Sequence, residues 1–472
     1  MKRFVSVFLC LLMLLTVCIS ASAYDNEKLT QTEWEDLYSS LCEENTLPTL
    51  NVGAVAGEVS LCWHIYGNDA GMAKVRVSQS PDMLNAKVYN GSLDEAETAE
   101  QSVCRVTVDG LEENTAYYYQ WYTNSGWSKS YKYETKSFGD HKALVIGDIQ
   151  IGGQTEDSSK QSQDGLTWNN VLTEALTVNP DICYMVSPGD NTSTGKTADE
   201  WQTFLMPENL RSLPVALAIG NHDKKGMTYN YYTNMPNEFY GKYFEGLDRD
   251  FWFRYGDVLY LVFDATSACA ADHMAMAKEA VESNPDAKWR IGIMHQALFG
   301  PGYSTLSAET MILLNAVFTP IFDSYDVDLV LTGHSHLQGR SHFMYESMMI
   351  GKAESGKTYT NPHGTVYLNT NAICDQGEFT DMTAYIAYAF EKNDVTTYTT
   401  LDFKGDTMTV ETRRGDNSEL LDSLVIKKTD SEHNDNYPHK LLHRFAYKFV
   451  ELCGRIYQVV DNVVVKIRGG HF

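Results

Sequence analysis

Val215 to Asp223 reads VALAIGNHD: five apolar residues, then a glycine, an amide, an imidazole and a carboxylate. A continuous apolar run of this length, closed by glycine, suits a strand buried on both faces of a sheet. The polar cluster then sits at the strand's carboxyl end, the edge at which open α/β sheets bind their ligands. A lone GNHD reads first as a turn whose Asn and Asp bond their own backbone. What changes that reading is repetition of the pattern along the chain.

From His141 onward the order strand, polar tip, helix recurs, as in a layered α/β domain. Ala143 to Ile146 is a predicted strand ending in Gly147-Asp148-Ile149-Gln150, and a helix is predicted from Leu166 to Val178. Ile182 to Val186 ends in Pro188-Gly189-Asp190-Asn191. After the Val215 strand come paired strands around Phe251 to Phe263, a Met- and Ala-rich helix from Ala270 to Asn284, and a strand from Trp289 to Met294 that delivers His295. A helix from Ala308 to Tyr325 precedes the strand Val327 to Leu331, which ends in Gly333-His334-Ser335-His336. Further strands are expected near Val366 to Leu368, Ala384 to Phe390, Thr396 to Phe403 and Thr407 to Arg413.

Five strands therefore finish in Asp148, Asp190, Asn221-His222, His295 and His334-x-His336. One such tip is a turn or a satisfied histidine; five in succession are a ligand set. Carboxylate, amide and imidazole donors without thiolate suit Zn, Mn or Fe. The donors suffice for two divalent ions sharing one carboxylate. Two ions about 3.5 to 4 Å apart clamp the attacking and leaving oxygens of an in-line displacement, with a nucleophilic hydroxide between them. Phosphate ester hydrolysis is the natural use of such a site.

The ordered set GD-x-Q, GDN, GNHD, MH and GHSH resembles the calcineurin-like metallophosphoesterases. With the β-rich segment before it, the chain resembles the purple acid phosphatase branch over roughly Pro48 to Lys428. The resemblance implies an αββα sandwich in which Asp148, Asp190 and His336 hold a first metal, and Asp190, Asn221, His295 and His334 a second, with Asp190 bridging. It further implies that His222 contacts the phosphate and leaving group, steadied by Asp223. Two positions depart from the family pattern. Gln150 stands where the family has His or Gly, a neutral and weaker ligand for the first metal. Ser193 stands where purple members carry a metal-binding tyrosine, three residues after the bridging Asp. The first site is therefore expected to prefer a divalent ion to ferric iron.

Upstream, residues 48–136 read as an all-β domain. Val59 to Trp63, Ala73 to Val77, Val103 to Val108 and Tyr117 to Tyr122 alternate apolar and polar residues between turn residues. Leu111 to Tyr119 resembles the tyrosine-corner strand of a fibronectin type III sandwich. The segment 24–47 is a short helical lead. Residues 1–23 place Lys2 and Arg3 before an apolar stretch and Ala21-Ser22-Ala23, the order of a cleavable secretory signal. No later run is long enough to span a membrane. The expectation is an exported protein.

The formal net charge is −25, and −27 once Lys2 and Arg3 are removed. So acidic a surface argues against a nucleic-acid partner. It leaves room for a small phosphorylated substrate, because the distant field is screened beyond roughly 8 Å at physiological salt. The cysteines outside residues 1–23 (Cys42, Cys62, Cys104, Cys183, Cys269, Cys374, Cys453) are odd in number, and no CxxC spacing occurs. The metallophosphoesterase domain is expected at 140–428. Residues 429–472 comprise a polar linker and a segment in which Leu441, Phe445, Phe449, Leu452, Ile456, Val459, Val463 and Ile467 recur at helical spacing. That helix is read as docked on its own acidic domain, with surface anchoring or self-association as the alternative.

One competing motif fails on context. Gly351 to Thr358 matches GxxxxGK[ST], but Tyr359-Thr360-Asn361-Pro362 and Gly364 deny it the helix that a phosphate-binding loop must enter. The expected function is hydrolysis of phosphate monoesters by a metal-bridging hydroxide, with a phosphodiesterase or nucleotidase next. A surface binding module with a vestigial domain is the reading from another class.

Overall fold

The structure is a computed structural model that describes residues 27–41, 47–96, 98, 100–152, 158–226, 228–241, 249–267, 269–301, 308–374, 384–390 and 395–429. The expected signal segment and the C-terminal amphipathic segment lie outside these residues.

Two large sheets face each other. The first has eleven strands in the order Lys357–Thr360, Leu420–Lys427, Thr407–Arg414, Thr397–Lys404, His141–Val145, Ile182–Ser187, Val215–Leu217, Thr49–Val52, Val59–Tyr66, Gln101–Val108 and Ser92–Glu95. The second has seven: Phe251–Tyr255, Val258–Phe263, Trp289–Met294, Leu329–Thr332, Val366–Asn369, Gly339–Ser341 and Ile386–Ala389. The pleat of a single strand shows how the layers form. In Val258–Phe263, Val258, Tyr260 and Val262 join the core between the sheets, where Val145, Val186 and Ala216 of the first sheet also lie. Leu259, Leu261 and Phe263 point the other way and pack with Met276, Ala277, Phe318 and Phe322 of the helices Ala270–Ser283 and Ala308–Ser324. Alternate residues of one buried strand thus feed two cores, which is why it reads as unbroken Val-Leu-Tyr-Leu-Val-Phe. The helix Ser158–Val178 places Trp168, Leu172 and Leu176 on the first sheet. The layered α/β architecture behind an all-β unit is therefore as the sequence predicts.

The all-β unit adds a feature that the sequence does not display. Its strand Thr49–Val52 runs parallel to Val215–Leu217, with Asn51 opposite Val215, so the first sheet passes from one unit into the other without a break. Asn51 seals the junction, its Nδ2 donating to the Val215 carbonyl at 3.2 Å while its Oδ1 accepts from the Asn234 N–H at 3.0 Å. The unit's remaining strands, Lys87–Asn90, Lys74–Ser78, Ala116–Thr123, Gly126–Trp127 and Tyr131–Glu134, form a separate sheet. The Tyr117 hydroxyl accepts from the Glu112 N–H at 2.8 Å, a tie from strand back to corner. The P-loop-like letters end in the strand Lys357–Thr360, paired with Leu420–Lys427, so no helix follows them. Among the described residues no helix is long and apolar enough to cross a membrane, and Cys62, Cys104 and Cys183 are free thiols.

Candidate functional site

His141–Val145, Ile182–Ser187 and Val215–Leu217 are mutually parallel, as are Trp289–Met294, Leu329–Thr332 and Val366–Asn369. Their carboxyl ends converge on the same edge, and all seven predicted metal-site residues meet there. Ligand atoms of Asp190, His295 and His334 lie within 4.8 Å of one another, as do those of Asp148, Asp190 and His336. Asp190 belongs to both groups. His295 Nε2 is 3.0 Å from Asp190 Oδ2, and His336 Nε2 is 3.6 Å from Asp148 Oδ1. His334 Nδ1 stands 2.8 Å from Asn221 Oδ1 and 3.3 Å from His295 Nε2. Gln150 Nε2 donates to Asp190 Oδ2 at 3.3 Å, while Gln150 Oε1 is buried without a hydrogen-bond partner.

The backbone is bent to bring these groups in. Asp148, Gln150, Asp190, His334 and His336 have φ of 48°, 47°, 52°, 69° and 58°, in the left-handed region that side chains with a Cβ avoid. Such strain persists only where the surroundings enforce it, and it gathers at functional sites. Gly220 is required for close approach: a Cβ there would lie 2.1 Å from Asp190 Oδ1. Asp190 Oδ1 instead accepts the His222 N–H at 2.8 Å, and Asp148 Oδ1 accepts the His334 N–H at 2.9 Å.

Protons are pulled in conflicting directions here. Burial raises the Asp148 carboxyl to about 6, against the opposing influence of His295 and His336. Burial also works against ionisation of Asp190, yet His295 and His222 hold it well below the ordinary carboxylate range. Burial would lower His295, but the adjacent Asp190, with Asp148, lifts it to about 9. His334 is pushed down to about 3 by burial and then by the charge on His295. Two carboxylates among three imidazoles, with an unpartnered amide oxygen beside them, fit cations better than protons. The donor set, all oxygen and nitrogen, matches Mn, Zn or Fe.

His222 and Asp223 do not contact each other as expected. The His222 Nδ1–H donates to the Ser193 carbonyl, and Lys225 Nζ lies 3.2 Å from the same nitrogen. Burial, countered by Asp190, lowers the imidazole's pKa. Asp223 instead accepts from Asn191 N and Nδ2, Thr192 N and Oγ1, and Gly220 N, at 3.0 to 3.2 Å. Burial and then the charge on Asp190 raise its carboxyl to about 7, against those donors. It therefore ties the Asp190 loop to the GNHD turn rather than steadying the imidazole. The sequence reading also missed Thr370, at the end of the sixth parallel strand, whose Oγ1 donates to Asp148 Oδ2 at 3.4 Å. A Thr after Asn369 at a strand tip is the signal that could have found it.

These features are those of a metallophosphoesterase. Residues 141–338 match the family model of the calcineurin-like phosphoesterases, and residues 47–135 that of the purple acid phosphatase N-terminal domain. The chain therefore carries a calcineurin-like phosphoesterase domain behind a purple acid phosphatase N-terminal domain. Its fold is similar to that of purple acid phosphatase PPD1 from yellow lupin (Lupinus luteus) seeds, with a TM-score of 0.64 and 16% identity over 84% of this chain and 77% of that one. GAP50, the anchor in the inner membrane complex of Plasmodium, aligns at 16% identity over 65% of this chain and 95% of its own, with a TM-score of 0.41. A comparison with curated protein sequences returned no match.

Proposed function

We propose that the protein is an exported, metal-dependent phosphoric ester hydrolase acting on phosphate monoesters. The observation that carries this reading is the pair of ligand groups sharing Asp190. Asp148, Gln150, Asp190 and His336 would hold one divalent ion, and Asp190, Asn221, His295 and His334 the other. Bound there, the two ions supply Lewis acidity and an activated water near neutral pH.

The chain's own residues do the remainder. The left-handed backbone at Asp148 and Asp190 presents both carboxylates inward, where water is largely excluded and charge interactions are strong. His222 Nδ1–H is committed to the Ser193 carbonyl, so in the imidazolium it is the Nε2 proton that passes to the departing oxygen, leaving the neutral Nδ1–H ring. Asp223 and Thr370 hold the two acidic tips in place.

The test is phosphate release from a panel of monoesters, diesters and nucleotides by protein loaded with Mn, Zn or ferrous iron, before and after chelation. Monoester turnover abolished by chelator is the expected result. Turnover confined to diesters or nucleotides would replace the monoester reading, and no release from any ester by loaded protein would overturn catalysis.

A further inference from the structure

Glu200 stands in the first turn of the helix Ala198–Leu205 and is only 1% exposed. Its carboxylate accepts the Thr194 N–H at 2.8 Å through Oε1 and the Thr194 hydroxyl at 2.9 Å through Oε2. The Thr194 N–H and the Ser193 carbonyl are the two ends of one peptide unit, and that unit is planar. The carbonyl at its far end is the acceptor of His222 Nδ1–H. A carboxylate that grips one end of a rigid plane therefore aims the other end at the imidazole.

The surroundings leave this plane no alternative. On one side Ser193 N–H donates to the Ile151 carbonyl at 3.1 Å, and Thr192 is bound through N and Oγ1 to Asp223. On the other, the Gly195 carbonyl accepts the Thr228 hydroxyl at 2.7 Å, which itself accepts from Trp201 Nε1 at 2.9 Å. Hydrogen bonds in series polarise one another in a low-dielectric interior, so a negative charge at the N–H end makes the carbonyl a stronger acceptor.

We propose that Glu200 is a positioning residue for His222, acting through the Ser193–Thr194 peptide to hold one proton on Nδ1, so that the imidazolium gives its Nε2 proton to the leaving group and is left as the neutral Nδ1–H ring. Glu200 touches neither the candidate metal ligands nor the imidazole. It does for His222, through a peptide, what a directly bonded carboxylate does for the histidine of other acid–base pairs. The kinetic part of this inference rests on the phosphoesterase reading; the tautomer part does not.

The test uses the full chain with Glu200→Gln, which keeps shape and removes charge, and Glu200→Ala. In protein carrying isotopically labelled histidine, the His222 signal is the one lost in His222→Ala. Its nitrogen shifts should report the Nδ1–H tautomer in the wild type and a shift toward Nε2–H in both Glu200 variants. With metal-replete protein, Glu200→Gln should lose turnover of an alkyl phosphate by roughly 10- to 100-fold, and of 4-nitrophenyl phosphate by less, because a good leaving group needs no proton. On a His222→Ala background Glu200→Gln should cost no more than about 2-fold, since residues acting as one unit are not additive. An unchanged tautomer in Glu200→Ala, or equal losses for both esters that add to those of His222→Ala, would overturn the proposal. If wild-type protein hydrolyses no ester, the proposed function fails while the tautomer measurement still decides this one.

Discussion

Two of the clusters of buried charge among the described residues are built on opposite plans. Arg340 and Asp422 join the two large sheets through a bidentate pair, Nε to Oδ2 at 2.6 Å and Nη2 to Oδ1 at 3.1 Å, with Arg340 Nη1 donating to the Ala353 carbonyl at 2.8 Å. The charges cancel, the fork fits the carboxylate, and neither residue has positive φ. At the strand tips, Asp148 and Asp190 face each other among imidazoles on a left-handed backbone, beside the orphaned Gln150 Oε1. The first cluster is complete within the chain. The second is arranged at a cost in strain and proton competition that only a ligand offsets, and that contrast separates a structural ion pair from a binding site more clearly than burial does.

The comparison breaks most sharply at Asp190. Asp190→Ala removes a donor from both ligand groups and an acceptor from the His222 N–H, so kcat should fall by roughly 10³-fold or more while the fold persists. A variant retaining more than about a tenth of wild-type kcat, a loss under 1.4 kcal/mol, would show that Asp190 is not shared. His222→Ala should leave metal content intact and slow turnover by about 10²- to 10⁴-fold, with the loss shrinking for esters of acidic alcohols. Equal losses across leaving groups would assign His222 to phosphate binding instead.

Arg340→Leu should do the reverse. It strands a buried carboxylate between the sheets, so resistance to denaturant should drop by about 3 to 5 kcal/mol while activity per folded molecule is kept. Adding Asp422→Leu should recover much of that loss, because an apolar pair of similar volume can replace a buried ion pair. A single variant as stable as wild type, or a double variant no better than the single one, would show that the pair is not complete in itself.

How much of this was legible beforehand follows from where the information resides. The five strand tips could be read because residue type and order carry them, and Trp289–Met294 was read to the residue although Arg290 interrupts its apolar run. The helix Ser158–Val178 begins eight residues before the predicted start, since its first turns are polar and contain Gly165. That glycine lies against Trp34, where a Cβ would come within 2.4 Å of Cζ2, so the reason for the misleading residue is tertiary. The strand Leu420–Lys427 was missed because Asp422 and Ser423 interrupt its apolar pattern, and Asp422 is there for Arg340. Positive φ at Asp and His leaves no mark in a sequence. Nor do acceptors supplied by backbone, which is why Ser193 was judged by its side chain while its carbonyl held His222.

The smallest expected effect concerns the ions themselves. A ligand that binds only the folded protein stabilises it by about 2.7 kcal/mol at 100 times its dissociation constant. Mn, Zn or ferrous iron at that level should raise the wild-type unfolding temperature, and Asp190→Ala should lose most of the rise. The Arg340→Leu protein should keep it, because its defect lies in the other cluster. The same titration addresses the character of the ion. A tyrosinate would favour the trivalent state through its charge, whereas Ser193 occupies the position from which the purple members supply one, and Gln150 is neutral. Loaded protein should therefore be colourless and active with divalent metal. Stoichiometric ferric iron with a visible charge-transfer band in a native preparation would mean that a tyrosine reaches the centre from outside the five strand tips. Stabilisation that persisted in Asp190→Ala would place the ions somewhere else altogether.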